Sequence, residues 1–285
     1  EGFMTDLLQM AVLSFIAIAC GLIGPFLILK KMSMFANSLS HTVLLGIALA
    51  FLITGGAVFN LTVLLIGAFL AALMTALLTG GLIRIFRLQE DASIGLVFTA
   101  LFALGITVVT LFLRDTHLGI EAVMGNADLL QLSDLKFALS LVGCNLAAIL
   151  LFYKQFQLCT FDGHLAKTMG MRVGVFHFLL LFLAAMTCIG AFRAIGVLLV
   201  LAFLVGPFLT ARLFCHSLPK LLILTPLIGV AASIVGVMIS RGCLNLFGVP
   251  LSTGGIVATL IGLIYVFGKI VRSAKLHPCE RKLPS

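Results

Sequence analysis

Charge is what this sequence has least of. Only 10% of its 285 residues are Asp, Glu, Lys or Arg, against 62% hydrophobic, which is too apolar for a soluble domain and too long for a single anchor. None of the ten acidic residues lies deep in an apolar run, so the intramembrane carboxylates of a proton- or sodium-coupled carrier or a cation channel are not to be found. There is no G-x-x-x-x-G-K-[ST] segment, and hence no nucleotide hydrolysis is expected from this chain. No C-x-x-C pair offers a structural zinc site, and no polar connection is long enough to fold a soluble enzyme or receptor domain. The first apolar run has neither a basic flank before it nor a small-residue cleavage site, so it is not expected to be a cleaved signal peptide.

What fills the chain instead is nine apolar stretches, at about 7–29, 32–54, 60–83, 92–113, 135–153, 174–192, 194–214, 220–240 and 252–268. Each is near the ~20 residues that cross ~30 Å of hydrocarbon as a helix. The runs are continuously apolar rather than alternating, which excludes a transmembrane β-barrel. The expected fold is all-α: a polytopic helical membrane bundle of about nine spans, forming one transmembrane domain over residues 1–285. With residue 1 outside, only Arg114, Lys136, Arg193 and Arg241 of the 18 basic residues fall outside. The other fourteen, among them Lys30, Arg84, Lys154, Lys167, Arg212 and Arg272, fall inside, so the positive-inside rule predicts N-out, C-in. The net charge of +8 is therefore spread over separate loops as a topology signal, and no nucleic-acid partner is expected. Of the seven cysteines only Cys243 falls outside, so no disulfide is expected.

Small residues such as Gly46, Ala50, Gly67, Ala71, Gly105 and Gly196 run through the spans, as close helix packing in lipid requires. An internal echo pairs residues 22–30 with 204–212: each carries Gly-Pro-Phe-Leu and ends in a basic residue. A proline removes a backbone hydrogen bond and kinks its helix, and this reads as either a plain kink or a hinge.

The sharpest polar signal lies in the second span, which carries Asn37, Ser38, Ser40, His41 and Thr42. From His41 to Thr54 is too short to cross a bilayer, so the span is expected to begin near Met32, placing His41 ~14 Å in, close to the midplane. Asn37 and His41, four apart, stack on one helix face. A buried imidazole and amide need partners or a wet path. Two readings stand: an interhelical hydrogen-bonding cluster, or ligands for Zn, Mn or Fe(II). His177 reads as structural. Asp115, His117, Glu121 and Asp128, in the outer loop after the fourth span, read either as solvated charges or as a cation-attracting entry. Residues 161–170, short, amphipathic and glycine-terminated, read as a small surface helix, either a connector or a docking element.

Four segments, in order, resemble the zinc, manganese and iron permeases of ATP-binding-cassette importers: 38–50 (Ser-Leu-Ser-His-Thr-Val-Leu-Leu-Gly-Ile-Ala-Leu-Ala), 90–98 (Glu-Asp-Ala-Ser-Ile-Gly-Leu-Val-Phe), 161–170 (Phe-Asp-Gly-His-Leu-Ala-Lys-Thr-Met-Gly) and 196–212. The resemblance covers nearly the whole chain. It implies a subunit of the bacterial plasma (inner) membrane that is not itself an enzyme. It also implies a dimer with a second permease subunit, two cytoplasmic ABC ATPases and an extracytoplasmic metal-binding protein. The divalent metal ion is cargo, and no cofactor is permanently bound. By the same resemblance Phe161, Asp162, Leu165, Ala166 and Gly170 belong to the helix that couples to the ATPase; on the importer reading Gly206 and Pro207 are the candidate hinge, and His41 and Asn37 are expected to line the metal path near the dimer centre. Two departures from the family pattern matter. Asn37 stands where the family has an aspartate. If Gly254 aligns with the family's later glycine, Pro250 takes the place of a second acid and Ser252 that of a proline. Either the site is altered, or a different permease subunit supplies the acids in a heterodimer, which is the preferred reading. The rivals are a carrier or channel without an ATPase, and a permease for metal chelates.

Overall fold

A computed structural model of the chain describes residues 2–53, 61–112, 130–247 and 252–280. Among these described residues ten helices follow one another: α1 (Gly2–Leu29), α2 (Met34–Ile53), α3 (Leu61–Ile85), α4 (Glu90–Phe112), α5 (Leu132–Phe161), α6 (Gly163–Thr168), α7 (Val173–Ile195), α8 (Val197–Phe214), α9 (Leu218–Phe247) and α10 (Thr253–Glu280). Among the described residues there is no strand. Eight of these helices are, within the described residues, long and apolar enough to cross a membrane, and α2 contributes a shorter apolar stretch, Met34–Ala50. The all-helical, multi-pass reading of the sequence holds.

The bundle is built around α1, which packs against α5, α7, α8 and α9, while α2, α3 and α4 form a second group that meets the first mainly through α7, with a smaller contact between α2 and α8. The two echoing Gly-Pro segments lie side by side. A Cβ on Gly24 of α1 would run into the Leu204 carbonyl oxygen of α8. Pro226 of α9 closes on the same stretch, its nitrogen 2.9 Å from where a Cβ on Gly21 would stand. Three proline-bearing helices thus share one packing centre, and glycine lets their backbones touch. Polar cross-links are few: Asn145 of α5 donates to Thr187 Oγ1 of α7 at 2.8 Å and to the Ala19 carbonyl of α1 at 3.4 Å.

Gly196 serves a different purpose from the packing role its position in an apolar run suggested. It alone separates α7 from α8, at φ 83°, ψ 164°, a conformation open essentially to glycine only. Gly196→Ala is expected to cost about 1–3 kcal/mol. That loss reads out as a lower melting temperature of the purified protein, against an unchanged value for Gly143→Ala, whose added Cβ meets nothing within 4 Å.

The contacts sort the helix ends into two layers. At one end Asp6 pairs with Arg241 at 2.7 Å, and Asp134 with Arg193 at 3.8 Å. At the other lie Lys30 against His177 (3.3 Å), Arg84 beside Gly174, and Arg272 bonded to the Leu213 carbonyl. Both arginines at the first end are therefore partnered by acids, whereas the opposite end carries the cationic surplus.

Candidate functional site

α2 begins at Met34, two residues later than the sequence reading placed the second span, so His41 sits about two turns, or ~10 Å, into the helix instead of ~14 Å. Its half-buried ring lies against Phe98 and Phe102 of α4, with centroids 5.3 and 5.0 Å away. Those phenyl rings, four residues apart, stack on each other at 5.7 Å. Both lie tilted against the imidazole, and among the described residues none hydrogen-bonds its nitrogens. The cross-helix hydrogen bond of this region belongs to the next residue: Thr75 Oγ1 of α3 donates to Thr42 Oγ1 at 3.0 Å.

Asn37, one turn earlier on the same face, is half-buried, and its backbone carbonyl accepts the Ser40 hydroxyl at 2.7 Å. The neighbouring Ser38 hydroxyl is buried without a partner among the described residues. Asn37 and His41 thus share a face of α2 that is neither fully packed nor fully open. Among the described residues no three of His, Cys, Asp and Glu converge on one point. Asp115, His117, Glu121, Asp128 and Pro250 lie outside the described residues. Ser252 directly precedes α10, and Gly254 lies in its first turn, where an added Cβ would contact Leu199 of α8 at 3.8 Å.

The 161–170 segment forms a short helix whose six residues cannot hold themselves helical by length. Both ends are capped instead. Asp162 Oδ1 accepts the amides of His164 (3.0 Å) and Leu165 (2.9 Å), the N-cap arrangement. At the other end Gly170 takes φ 78°, its amide donates to the Lys167 carbonyl, and the Met171 amide donates to the Ala166 carbonyl, both at 3.0 Å. This is a Schellman stop. Ala166 is fully buried beneath the helix, while Phe161, Leu165 and Met169, at four-residue spacing, are 60%, 47% and 67% exposed. The result is a rigid knob with an uncovered apolar face. Asp162→Ala is expected to weaken α6 by about 1 kcal/mol, measurable as roughly fivefold faster amide exchange at His164 and Leu165.

Gly206 and Pro207 sit midway along α8. Pro207 is buried, and a Cβ on Gly206 would strike Ile261 of α10. α8 also touches α2, so the kinked segment and the His41 helix belong to one packed unit. Sequence reasoning missed Phe98 and Phe102, although their four-residue spacing at the end of the 90–98 motif was visible. It also missed the contact of Lys30 with His177. Burial lowers the Lys30 ammonium from its ordinary pKa, and the Glu90 carboxylate opposes that shift.

A model of the ABC 3 transport family matches residues 4–272. A "Probable metal transport system membrane protein" of Chlamydia muridarum is 36% identical over 269 residues, covering 92% of this chain and 83% of that protein. The "Chelated iron transport system membrane protein YfeD" of Yersinia pestis is 32% identical, covering 99% and 93%. The "Manganese transport system membrane protein MntD" of Bacillus subtilis is 33% identical, covering 88% and 86%. Among solved structures, "PsaBC from Streptococcus pneumoniae in complex with Fab" superposes with a TM-score of 0.72 at 27% identity, covering 91% of this chain and 89% of that one.

Proposed function

Because the chain belongs to the ABC 3 transport family, we propose that it is the membrane-spanning permease subunit of an ATP-driven importer of divalent transition-metal ions. Family membership over nearly the whole length is the observation that carries this reading, and metal transport by the similar Chlamydia, Yersinia and Bacillus proteins supports it. Manganese and iron are the favoured cargoes, with zinc the third, since imidazole nitrogen suits all three. The chain works with a cytoplasmic ABC ATPase, an extracytoplasmic metal-binding protein and a second permease subunit, in the bacterial inner membrane with its amino terminus outside. The cationic surplus at the Lys30 end fits that orientation.

In this reading the half-buried face of α2 bearing Asn37 and His41 lines the metal path where two permease subunits meet. His41 offers a neutral nitrogen to the passing ion. Asn37 offers only a carbonyl dipole, which offsets less of the ion's desolvation than a carboxylate. A heterodimeric partner that supplies acids would complete the site. α6 is the docking knob: its apolar face of Phe161, Leu165 and Met169 seats on the ATPase, and its double capping makes it rigid enough to transmit a push. The push passes through α5 and α7, the helices that α6 touches, to α8, where Gly206 and Pro207 give way, and α8 carries it to α2.

A carrier without an ATPase is disfavoured, because the described acids Asp6, Glu90, Asp91, Asp134, Asp162 and Glu280 all stand at or near helix ends. A chelate permease is the second reading, and the chelated iron named for the Yersinia relative is what favours it. The test is expression of this chain with the ATPase and the second permease subunit, purification in detergent, and metal uptake in reconstituted vesicles. An ATPase that co-purifies, with ATP-dependent uptake of Mn or Fe(II), is the expected result. Uptake that proceeds without ATP would refute the importer, and uptake of chelates only would replace free ions as the cargo.

A further inference from the structure

α2 packs on two neighbours with two faces. Thr42, Gly46 and Ala50, four residues apart, lie on α3: Thr42 meets Thr75, a Cβ on Gly46 would stand 2.7 Å from the Ala71 Cβ, and a Cβ on Gly67 would stand 2.5 Å from the Ala50 Cβ. These three contacts keep one antiparallel register, each step of four residues along α2 matching four back along α3. His41 and Leu45 lie on α4, against Phe98, Phe102 and Gly105. Around Gly46 and Gly67 the α3 contact is made by backbone and methyl groups. Such contact is close but has little directional preference, so it does not set how α2 is rotated about its axis.

The directional contact is a row of hydroxyls. Thr42 and Thr75 are fully buried, with their Oγ1 atoms 3.0 Å apart. Thr42 Oγ1 also lies 3.3 Å from the Leu39 carbonyl, and Thr75 Oγ1 lies 2.8 Å from the Ala71 carbonyl. Two hydroxyl protons serve this row of four oxygens in either order. Thr75 donates to Thr42 and Thr42 to Leu39, or Thr42 donates to Thr75 and Thr75 to Ala71. Both orders make the bond between the helices. The same four-residue steps lead on to Ser38 and Thr79, whose buried hydroxyls have no partner among the described residues. The hydroxyl link therefore stands at the Thr42 level.

This row ends inside the turn that carries the candidate ligands. Leu39 lies between Asn37 and His41, and Ser40 donates within the same turn to the Asn37 backbone carbonyl at 2.7 Å. Hydroxyls that return to carbonyls a turn back compete with the helix ladder and tend to bend it. The turn is thus loosened from within and is anchored from outside, by Thr75. We infer that Thr75 is a positioning residue for the metal path: through Thr42 it fixes the rotation of α2, and so the direction in which Asn37 and His41 point. The inference rests on the reading that this face of α2 lines the path. Metal ligands depend on supporting hydrogen bonds that hold them near the productive geometry.

The test measures Mn or Fe(II) uptake against metal concentration in vesicles containing the assembled importer. Thr75→Val keeps the shape, removes the hydroxyl and strands no partner, since Thr42 still has the Leu39 carbonyl. It should raise the metal concentration for half-maximal uptake roughly tenfold, the lower end of the loss when a support of a metal ligand is removed. The rate at saturating metal should be unchanged, and so should the melting temperature, because a hydroxyl bond between spans adds little stability. Thr75→Ser should restore the wild-type value. Thr42→Val should match Thr75→Val, and the double variant should be no worse than either, because both remove the same bond. Thr79→Val, which removes a buried hydroxyl without a partner among the described residues, should leave uptake unchanged. A loss in His41→Phe with none in Thr75→Val would overturn the positioning role and leave the metal path standing. No loss in His41→Phe would overturn both. Additive losses at 42 and 75, an equal loss in Thr79→Val, or a melting temperature that falls with the uptake would also overturn the role and leave Thr75 a packing residue.

Discussion

Replacing His41 by phenylalanine is expected to cut metal uptake at least about tenfold while leaving the permease folded and at its normal level in the membrane. The choice of phenylalanine separates two roles. The imidazole packs on Phe98 and Phe102, at 5.3 and 5.0 Å, and a phenyl ring keeps that aromatic contact, worth about 0.5–1.5 kcal/mol. What it removes is the nitrogen. Even groups that only support a metal ligand cost 10–100-fold in affinity or activity when lost, so a direct ligand should cost no less. The companion substitution Asn37→Asp should act in the opposite direction, tightening the apparent metal affinity, because a carboxylate offsets the ion's lost hydration where an amide cannot. Both are read by metal uptake in vesicles containing the assembled importer, with the amount of permease measured in the same membranes. Full uptake by His41→Phe would leave the histidine a packing residue.

The largest structural effect is expected from Gly46→Leu. A Cβ on Gly46 of α2 would enter the space of the Gly67 carbonyl oxygen and stand 2.7 Å from the Ala71 Cβ of α3. The obstacles are a backbone and a methyl group on backbone, neither of which can rotate aside. In lipid there is no hydrophobic drive to hold helices together, so association rests on this close packing. An isobutyl group would push α2 and α3 apart along their contact and break the Thr42–Thr75 hydrogen bond, at a cost above the about 1–3 kcal/mol of ordinary overpacking. The protein should melt far earlier, or disappear from the membrane fraction. Gly143→Leu, at an exposed glycine with nothing within 4 Å of its Cβ, should show neither loss. The contrast excludes a general intolerance of glycine replacement.

The hydrophobic runs made the spans legible, because each is long enough to cross a bilayer and none alternates as a barrel strand would. The short surface helix was legible too: Asp162 at its start and Gly170 at its end are capping residues whose roles are local in sequence. What the runs could not convey is which spans touch. A helix apolar on every side carries no stripe that names its neighbour, so the central place of α1 and the pairing of the two Gly-Pro segments emerge only in three dimensions. The same holds for Phe98 and Phe102, which are ordinary span residues until α4 lies against α2. Gly196 misled for a related reason. Its apolar neighbours look like packing, and only the reversal of the chain between α7 and α8 demands its positive φ. The acids at 115, 121 and 128 and His117 fall outside the described residues, and their role at an outer entry stays a proposal.

The central claim is that the Asn37 and His41 face of α2 meets the metal path. It is tested most directly by cysteine substitution in the assembled importer, with the seven native cysteines first replaced. A cysteine at Asn37 or His41 should react with a small water-soluble thiol reagent, and Mn or Fe(II) should slow that reaction, while a cysteine at the buried Leu39 should stay inert. A cysteine at Asn37 and one at His41 that are both as inert as the one at Leu39, or that react at the same rate with and without metal, would contradict the account.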